Sequence, residues 1–247
     1  MPRRSRWTLV IPLLVVAAVC VRLGIWQVHR LQARRAANAR ALAARAEPEL
    51  DLAHRPAGAP VLERRVRATG TFDRAHEFVL RGQVMGVPGV ELVTPLRLAG
   101  AGDTAVLVDR GFVPSPDAAT LPDMPLDEPG ELTVHGLALP APSEPDSGQP
   151  LTNAGKTTWR RVDLAAARAR LPYPVLDVVL LATPDSAAPR FPRRRPEPTL
   201  DDGPHLNYAL QWFAFATMAV IFAGVMWRTH GLKRPRSRDP ATGGVDG

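Results

Sequence analysis

Cysteine and lysine are almost absent from this sequence. Cys20 is the only cysteine among 247 residues, so the chain cannot form an internal disulfide and must be stable through packing. Only two of the 31 basic residues are lysines, Lys156 and Lys233, and the arginines are scattered along an Ala- and Pro-rich chain. We interpret the net charge of +7 as compositional bias together with basic flanks of apolar segments, and we expect no nucleic-acid partner.

Recognisable catalytic motifs are also missing. The sequence has no Gly-x-Ser-x-Gly elbow, His-Glu-x-x-His, Cys-x-x-Cys or P-loop pattern, so nucleophilic, zinc-dependent and nucleotide-driven chemistry lack their usual parts. The six histidines are dispersed and the acidic residues are spread rather than paired. Spacing therefore nominates no general acid and base, and we predict that the chain is not an enzyme.

Two long apolar segments bracket the chain. One runs from Trp7 to about Gln27 and the other from His205 to Trp227, and each is long enough to cross a bilayer as an α-helix. The first segment follows three arginines and also fits a cleaved signal peptide, although no small-x-small cleavage site appears. We therefore expect a membrane protein, with the lipid bilayer as one partner.

The charged flanks predict the orientation of the segments. Arginines and one lysine crowd the exit of the second segment, whereas Asp201 and Asp202 precede its entry, which favours a cytoplasmic C-terminus. With two crossings, both termini are then cytoplasmic, in the cell (plasma) membrane. The predicted order is a cytoplasmic N-terminal tail 1–6, transmembrane helix 7–27, extracytoplasmic domain 28–204, transmembrane helix 205–227 and basic cytoplasmic tail 228–247.

The middle of the chain is predicted to form one β-rich (α+β) domain. After Leu31 to Arg45, which fits a helix continuing from the membrane or a basic surface segment, apolar residues alternate with a period near two. Glycines separate these runs as turns or bulges. This pattern is typical of an antiparallel meander or small barrel. The predicted strands are 61–69, 77–84, 90–98, 105–113, 131–139 and 175–182.

Proline-rich stretches separate the later elements. Residues 114–129 and 140–150 are predicted to be exposed loops, and 184–204 a stiff linker back to the membrane. Between them, Trp159 to Leu171 is predicted to be a short helix with Asp163 as a plausible N-cap.

The entry to the second apolar segment is unusually polar. His205, Tyr208, Gln211 and Trp212 fall within its first two turns, where polar groups are costly in a membrane. This end of the helix is therefore expected to bind a ligand or pack against a partner. The alternative is that Tyr208 and Trp212 belong to the interfacial aromatic belt and His205 lies at headgroup level.

Five short patterns follow one another along the chain. They are Leu23-Gly24-Ile25-Trp26-Gln27 with Arg30, Gly70-Thr71-Phe72-Asp73 with Glu77 and Arg81, Pro88-Gly89 with Val93-Thr94-Pro95-Leu96, Val108-Asp109-Arg110-Gly111-Phe112-Val113-Pro114, and His205 to Phe213. Together they resemble the Surfeit locus protein family, whose members are membrane proteins that assist assembly of cytochrome c oxidase and related haem-copper oxidases. Phe112 departs from the family pattern, which usually has Trp there.

The resemblance implies a role in placing haem a into the catalytic subunit of the oxidase, with His205 as the axial ligand of a transiently held haem a. Tyr208 and Trp212 lie on the same helical face as His205, and Ala209 there would leave room for a flat ring. Gln211 could hydrogen-bond to the first helix, near Gln27 and Arg30, which equally fit ordinary snorkelling anchors.

Arg81 and Arg110 are the two cations of the outer domain that lie inside family motifs, and a haem propionate would suit either guanidinium. The alternative is a structural role, because Glu77, Glu91 and Asp109 are close enough in sequence for local ion pairs. His29, near the first segment's outer end, is a geometrically possible second ligand. The alternative function is a scaffold that stabilises an oxidase assembly intermediate without binding haem.

Overall fold

The computed structural model describes residues 4–84, 86–126, 128–142, 151–153, 156–185 and 188–232. They divide into two compact units, one made of the chain up to Asn38 and from Asp201 onward, the other of Ala39–Leu200. The helices are α1 (Arg4–Ala46), α2 (Leu164–Arg170) and α3 (His205–Leu232). Val10–Ala46 and His205–Thr229 are long and apolar enough to cross a membrane.

Helix α1 runs without interruption from the first apolar segment to Ala46. Residues 31–45 are therefore helical, as the first of the two sequence interpretations of this segment predicted. Large apolar side chains on both long helices are exposed, including Trp26 at 50% and Phe222 at 61%. The helices bury mainly small residues, so most of their apolar surface is not covered by protein.

The second unit contains the β-structure. The prediction of a β-rich region is confirmed, and each predicted strand is present with ends shifted by a few residues. The strands are β1 (Leu50–Asp51), β2 (Arg65–Phe72), β3 (Phe78–Val84), β4 (Val87–Leu98), β5 (Ala105–Pro114), β6 (Glu131–Pro140), β7 (Leu151–Asn153), β8 (Lys156–Trp159) and β9 (Val175–Ala182).

Five strands close into a small barrel. Their order is β2-β6-β9-β5-β4, and pairing of β4 back onto β2 completes the ring. All pairs in the ring are antiparallel except β5 with β9, which are parallel, so the fold is a barrel and not a simple antiparallel meander. Strands β3, β8 and β7 extend the sheet beyond β4, and β1 pairs with β2.

The barrel encloses an apolar core. Val66, Val106 and Leu180 point into it from three different strands, and each is fully buried. At the closure between β2 and β4, a Cβ on Gly70 would lie 2.0 Å from the carbonyl oxygen of Arg97. Glycine is therefore required there because the two backbones approach closely.

A second core lies on the outer face of β5 and β9. Alternate residues of β5, such as Leu107, pack with Trp159 and with α2, which explains why nearly all of β5 is buried. Asp163 caps α2 by accepting from the N–H of Ala166 at 2.9 Å, as predicted. The helix starts later than predicted, because residues 156–159 pair in parallel with β3 as a strand.

The proline-rich segment after β9 was predicted to be a linker, but residues 191–198 are bound along the barrel and form what we call the strap. Phe112 and Arg193 exchange backbone hydrogen bonds of 3.0 and 2.7 Å. Arg195 pairs with Glu91, and Glu197 pairs with Arg65. Pro114 is the last residue of β5, and the rest of the predicted 114–129 loop has no strand among its described residues. Most of the 140–150 loop lies outside the described residues.

Candidate functional site

Helices α1 and α3 form an antiparallel pair. The rings of Trp7 and Trp227 meet edge to face at 5.0 Å, and a Cβ on Gly24 would lie 2.7 Å from the ring of Phe213. Contacts therefore join the start of one helix to the end of the other. His205 is the first residue of α3 and lies beside Gln27, near the middle of α1.

Small side chains line the seam between the two helices. The buried residues recur at alternating spacings of three and four, as expected for paired helices, and small side chains let membrane helices approach closely. They are Val10, Ala17, Cys20, Gly24, Gln27 and Leu31 on α1 and Ala209, Ala216, Ala219 and Ala223 on α3. Ala209 is 2% exposed, so its small side chain serves this seam.

His205 forms the polar contact between the helices. Its Nδ1 lies 2.9 Å from Oε1 of Gln27, which is itself 9% exposed. A carboxamide oxygen only accepts, so a hydrogen bond between these two atoms requires the proton on Nδ1, and in a neutral ring of that tautomer the lone pair lies on Nε2. Among the described residues, Nε2 has no hydrogen-bond partner, and a neutral imidazole with a free Nε2 is a metal ligand.

The turn before α3 keeps space beside this nitrogen. Gly203 has a positive φ of 68°, and a Cβ at that position would lie 3.6 Å from Nε2 of His205. Any side chain there would lie next to the ring, so glycine leaves the approach to Nε2 open on that side.

Three α1 side chains fix the same turn. Arg34 Nε and Asn38 Nδ2 both donate to the backbone oxygen of Asp201, at 3.2 and 2.7 Å. Arg35 pairs with the Asp202 carboxylate at 2.8 Å, although both side chains are exposed. The position of His205 is therefore set from two sides, by this turn and by Gln27.

The other predicted residues of α3 lie within the two turns that begin at His205. Trp212 is partly buried and stacks edge to face on Phe215 at 6.0 Å. Tyr208 is 48% exposed, at the edge of the face that carries His205. Gln211 is exposed, and the hydrogen bond to Gln27 that was considered for it is made by His205 instead.

Arg110 lies in the barrel unit and is 1% exposed. The register of β4 and β5 slips between Leu92 and Val93, which leaves Arg110 as the extra residue of a β-bulge and turns its side chain inward. Its guanidinium donates to Glu77 at 3.1 Å and to Glu128 at 2.7 Å, and lies 4.7 Å from the ring centre of Phe72. The local ion pair with Glu77, considered as the structural alternative, is present.

The strap contributes two further arginines to these buried charges. Arg194 pairs with Glu128, and Arg195 joins Asp109 and Glu91. Burial raises the pKa of Asp109 above its ordinary value, although Arg195 favours the charged form. Burial, followed by the negative charge of Asp109, also raises the pKa of Glu91. These ion pairs therefore attach the strap to β4 and β5.

Arg81 lies on β3 and is partly buried. Its Nε is buried and makes no hydrogen bond within the part of the chain that the structure describes. Arg81 and Arg110 belong to the barrel unit, whereas His205, Tyr208, Gln211 and Trp212 belong to the helix-pair unit. That all six bind one cofactor stays a prediction.

Comparison with known proteins decides the family. The model of the SURF1 family matches residues 14–217, which include most of α1, the whole barrel and the first half of α3 up to Thr217. The chain belongs to the SURF1 family. A SURF1-like protein from Monosiga brevicollis is 28% identical over 92% of this chain and 90% of its own length. A SURF1-like protein from Rickettsia felis is 24% identical over 84% of this chain and 92% of its own length.

This assignment confirms the Surfeit locus resemblance. The SURF1 family is linked to oxidase assembly and is a family of assembly factors, not of known enzymes. Within the SURF1 match, the sequence nominated His205 as a ligand, which stays a prediction, and gave Gln27 only a role as a partner of Gln211 or an anchor. The signal that could have found it is its place in the three-and-four spacing of buried residues between Gly24 and Leu31.

Proposed function

We propose that this SURF1-family chain is an assembly factor for cytochrome c oxidase that holds haem a through His205 and assists its insertion into the catalytic subunit. The observation that carries the proposal is the His205–Gln27 contact of 2.9 Å, which leaves Nε2 as the lone-pair nitrogen at the mouth of an apolar helix. Family membership supports the link to an oxidase, and the imidazole of His205 is a suitable ligand for a haem iron.

The proposed setting is the cell membrane. Two long helices with exposed large apolar side chains need a hydrocarbon environment, because water would leave this surface uncovered. The basic residues after α3 favour cytoplasmic termini, which would put the barrel outside the cytoplasm. His205 would then lie near the outer edge of the bilayer, where a porphyrin stays in lipid while its propionates reach water.

The residues around His205 fit a haem. The described residues contain no group of three His, Cys, Asp or Glu side chains that could hold a bare metal ion. A haem iron requires less of the protein, because the porphyrin supplies four nitrogens and a single histidine is a common axial ligand. Gln27 would hold the ring of His205, and Trp212 and Tyr208 offer aromatic surface on or beside the same helical face.

Arg110 fits a propionate poorly in this arrangement. Its guanidinium is buried and already donates to Glu77, Glu128 and the backbone oxygen of Leu126. Of the two barrel arginines in the proposal, Arg81 is the better candidate for an anionic ligand, because its Nε has no hydrogen-bond partner among the described residues.

Complementation of a deletion strain tests the proposed function. We expect oxidase from cells carrying the wild-type chain to contain a full complement of haem a per catalytic subunit, and oxidase from cells carrying His205→Ala to be deficient in haem a. The protein level in membranes must be equal in both strains. Normal haem a content with His205→Ala would contradict the haem-holding role and favour the scaffold, which stabilises the assembly intermediate without binding haem.

A further inference from the structure

The carboxamide of Gln27 occupies a restricted position. It is buried in the seam of α1 and α3, one turn from Gly24, whose lack of a Cβ admits the Phe213 ring. Hydrogen bonds between helices are favoured in hydrocarbon, where an unpaired polar group has no water as an alternative. Gln27 is therefore held beside His205 by packing as well as by the hydrogen bond.

The direction of this hydrogen bond has a chemical consequence. With Oε1 of Gln27 facing Nδ1 at 2.9 Å, the imidazole takes the Nδ1–H tautomer. A free histidine side chain in water prefers the other tautomer, with the proton on Nε2. A metal can bind only the nitrogen that carries a lone pair, so the tautomer determines which nitrogen can be a ligand.

We infer that Gln27 is the positioning residue of this site: its carboxamide oxygen holds His205 in the Nδ1–H tautomer and so makes Nε2 the ligating nitrogen. Residues that orient a metal-binding histidine typically contribute about 10–100-fold in affinity. The haem part of this inference rests on the proposed function. The tautomer part does not, because it concerns the chain without ligand.

The tautomer can be measured directly. The full-length chain, labelled with ¹⁵N-histidine in lipid nanodiscs, gives distinct nitrogen shifts for protonated and unprotonated ring nitrogens, and the His205 signals are those lost in His205→Ala. We expect Nδ1–H in the wild-type chain at a pH where the ring is neutral. Gln27→Met, similar in size but without an acceptor, should shift the population to Nε2–H, whereas Gln27→Glu keeps an acceptor and should preserve Nδ1–H.

Haem affinity provides the second readout, with hemin as the probe. Gln27→Met should bind hemin about 10–100-fold more weakly than the wild-type chain, and Gln27→Glu should restore most of the affinity. Gln32→Met is the matched control, since Gln32 is exposed on α1, and it should change neither the tautomer nor the affinity.

Two results would overturn the inference. The first is Nε2–H in the wild-type chain, which would mean that the amide group and not the oxygen of Gln27 faces His205. The second is a Gln27→Met variant with an unchanged tautomer. A wild-type chain with Nδ1–H that binds no hemin would instead contradict the proposed function and the ligand part of the inference, while the tautomer assignment would stand.

Discussion

Replacing Arg110 with methionine separates a structural role from a cofactor role. The Arg110 side chain is 1% exposed, and its partners Glu77 and Glu128 are 5% and 14% exposed. Methionine retains apolar contact with Phe72 but removes the cation from these carboxylates. Breaking a buried ion pair by removing one partner costs about 3–5 kcal/mol. We expect the free energy of unfolding of the barrel to fall by an amount in this range.

Urea unfolding of the full-length chain in mild detergent measures this change. Trp159 is the one tryptophan of the barrel unit and is 1% exposed, so its emission reports on barrel unfolding. Arg65→Met is the matched control. Arg65 pairs with Glu197 but its side chain is 55% exposed, and exposed pairs contribute less than about 1 kcal/mol.

Equal urea midpoints for Arg110→Met and Arg65→Met would refute the reasoning that the buried charges stabilise the barrel. A result in which stability and haem binding separate is also informative. If Arg110→Met kept the wild-type midpoint but lost bound haem, the arginine would serve the cofactor, as the propionate hypothesis states. Loss of stability in the haem-free chain favours the structural role.

Three further predictions concern the helix seam, the strap and the topology. Gly24→Leu should crowd Phe213, destabilise the helix pair by about 1–3 kcal/mol and so lower the temperature at which the chain aggregates in detergent. Gly224→Leu, at a position with open space, should leave that temperature unchanged, and equal effects of the two variants would argue against the seam. Arg195→Met should raise the pKa of Asp109 and Glu91 in the folded chain further above their unfolded-state values. Stability is lost as pH rises from the unfolded-state to the folded-state pKa, so the urea midpoint should fall further below wild type at about pH 7 than at about pH 5. A pH-independent difference between variant and wild type would contradict this. A reporter active only in the cytoplasm should work when fused at Gly247 and fail after Pro140; activity at Pro140 would overturn the topology.

Most of the fold was predictable because its signals are local. Apolar length predicted both long helices, and alternation with a period of two predicted the strands around the barrel. The parallel pairing of β5 with β9 was not predicted, since alternation does not encode which strands are neighbours. Trp159 was assigned to the predicted helix because its pairing with β3 is a long-range contact that local propensity does not carry.

The parts that sequence reasoning missed all depend on distant partners. Glu128 lies in a proline-rich stretch predicted to be exposed, yet it pairs with both Arg110 and Arg194. Prolines in the strap indicated a stiff spacer, whereas its Arg195 pairs with carboxylates on β4 and β5. Gln27 and His205 are 178 residues apart, so no spacing within one helix could join them. His205 could be nominated from the sequence because a polar group inside an apolar segment is a local signal.

The central claim is that His205 ligates the iron of haem a through Nε2. Its most direct test is the Soret absorbance per protein of the full-length chain, purified from cells that synthesise haem a, for wild type, His205→Ala and His29→Ala. The account predicts that wild type and His29→Ala carry the same Soret band and that His205→Ala, still inserted in the membrane, loses it. A His205→Ala chain with the full Soret band would contradict the claim.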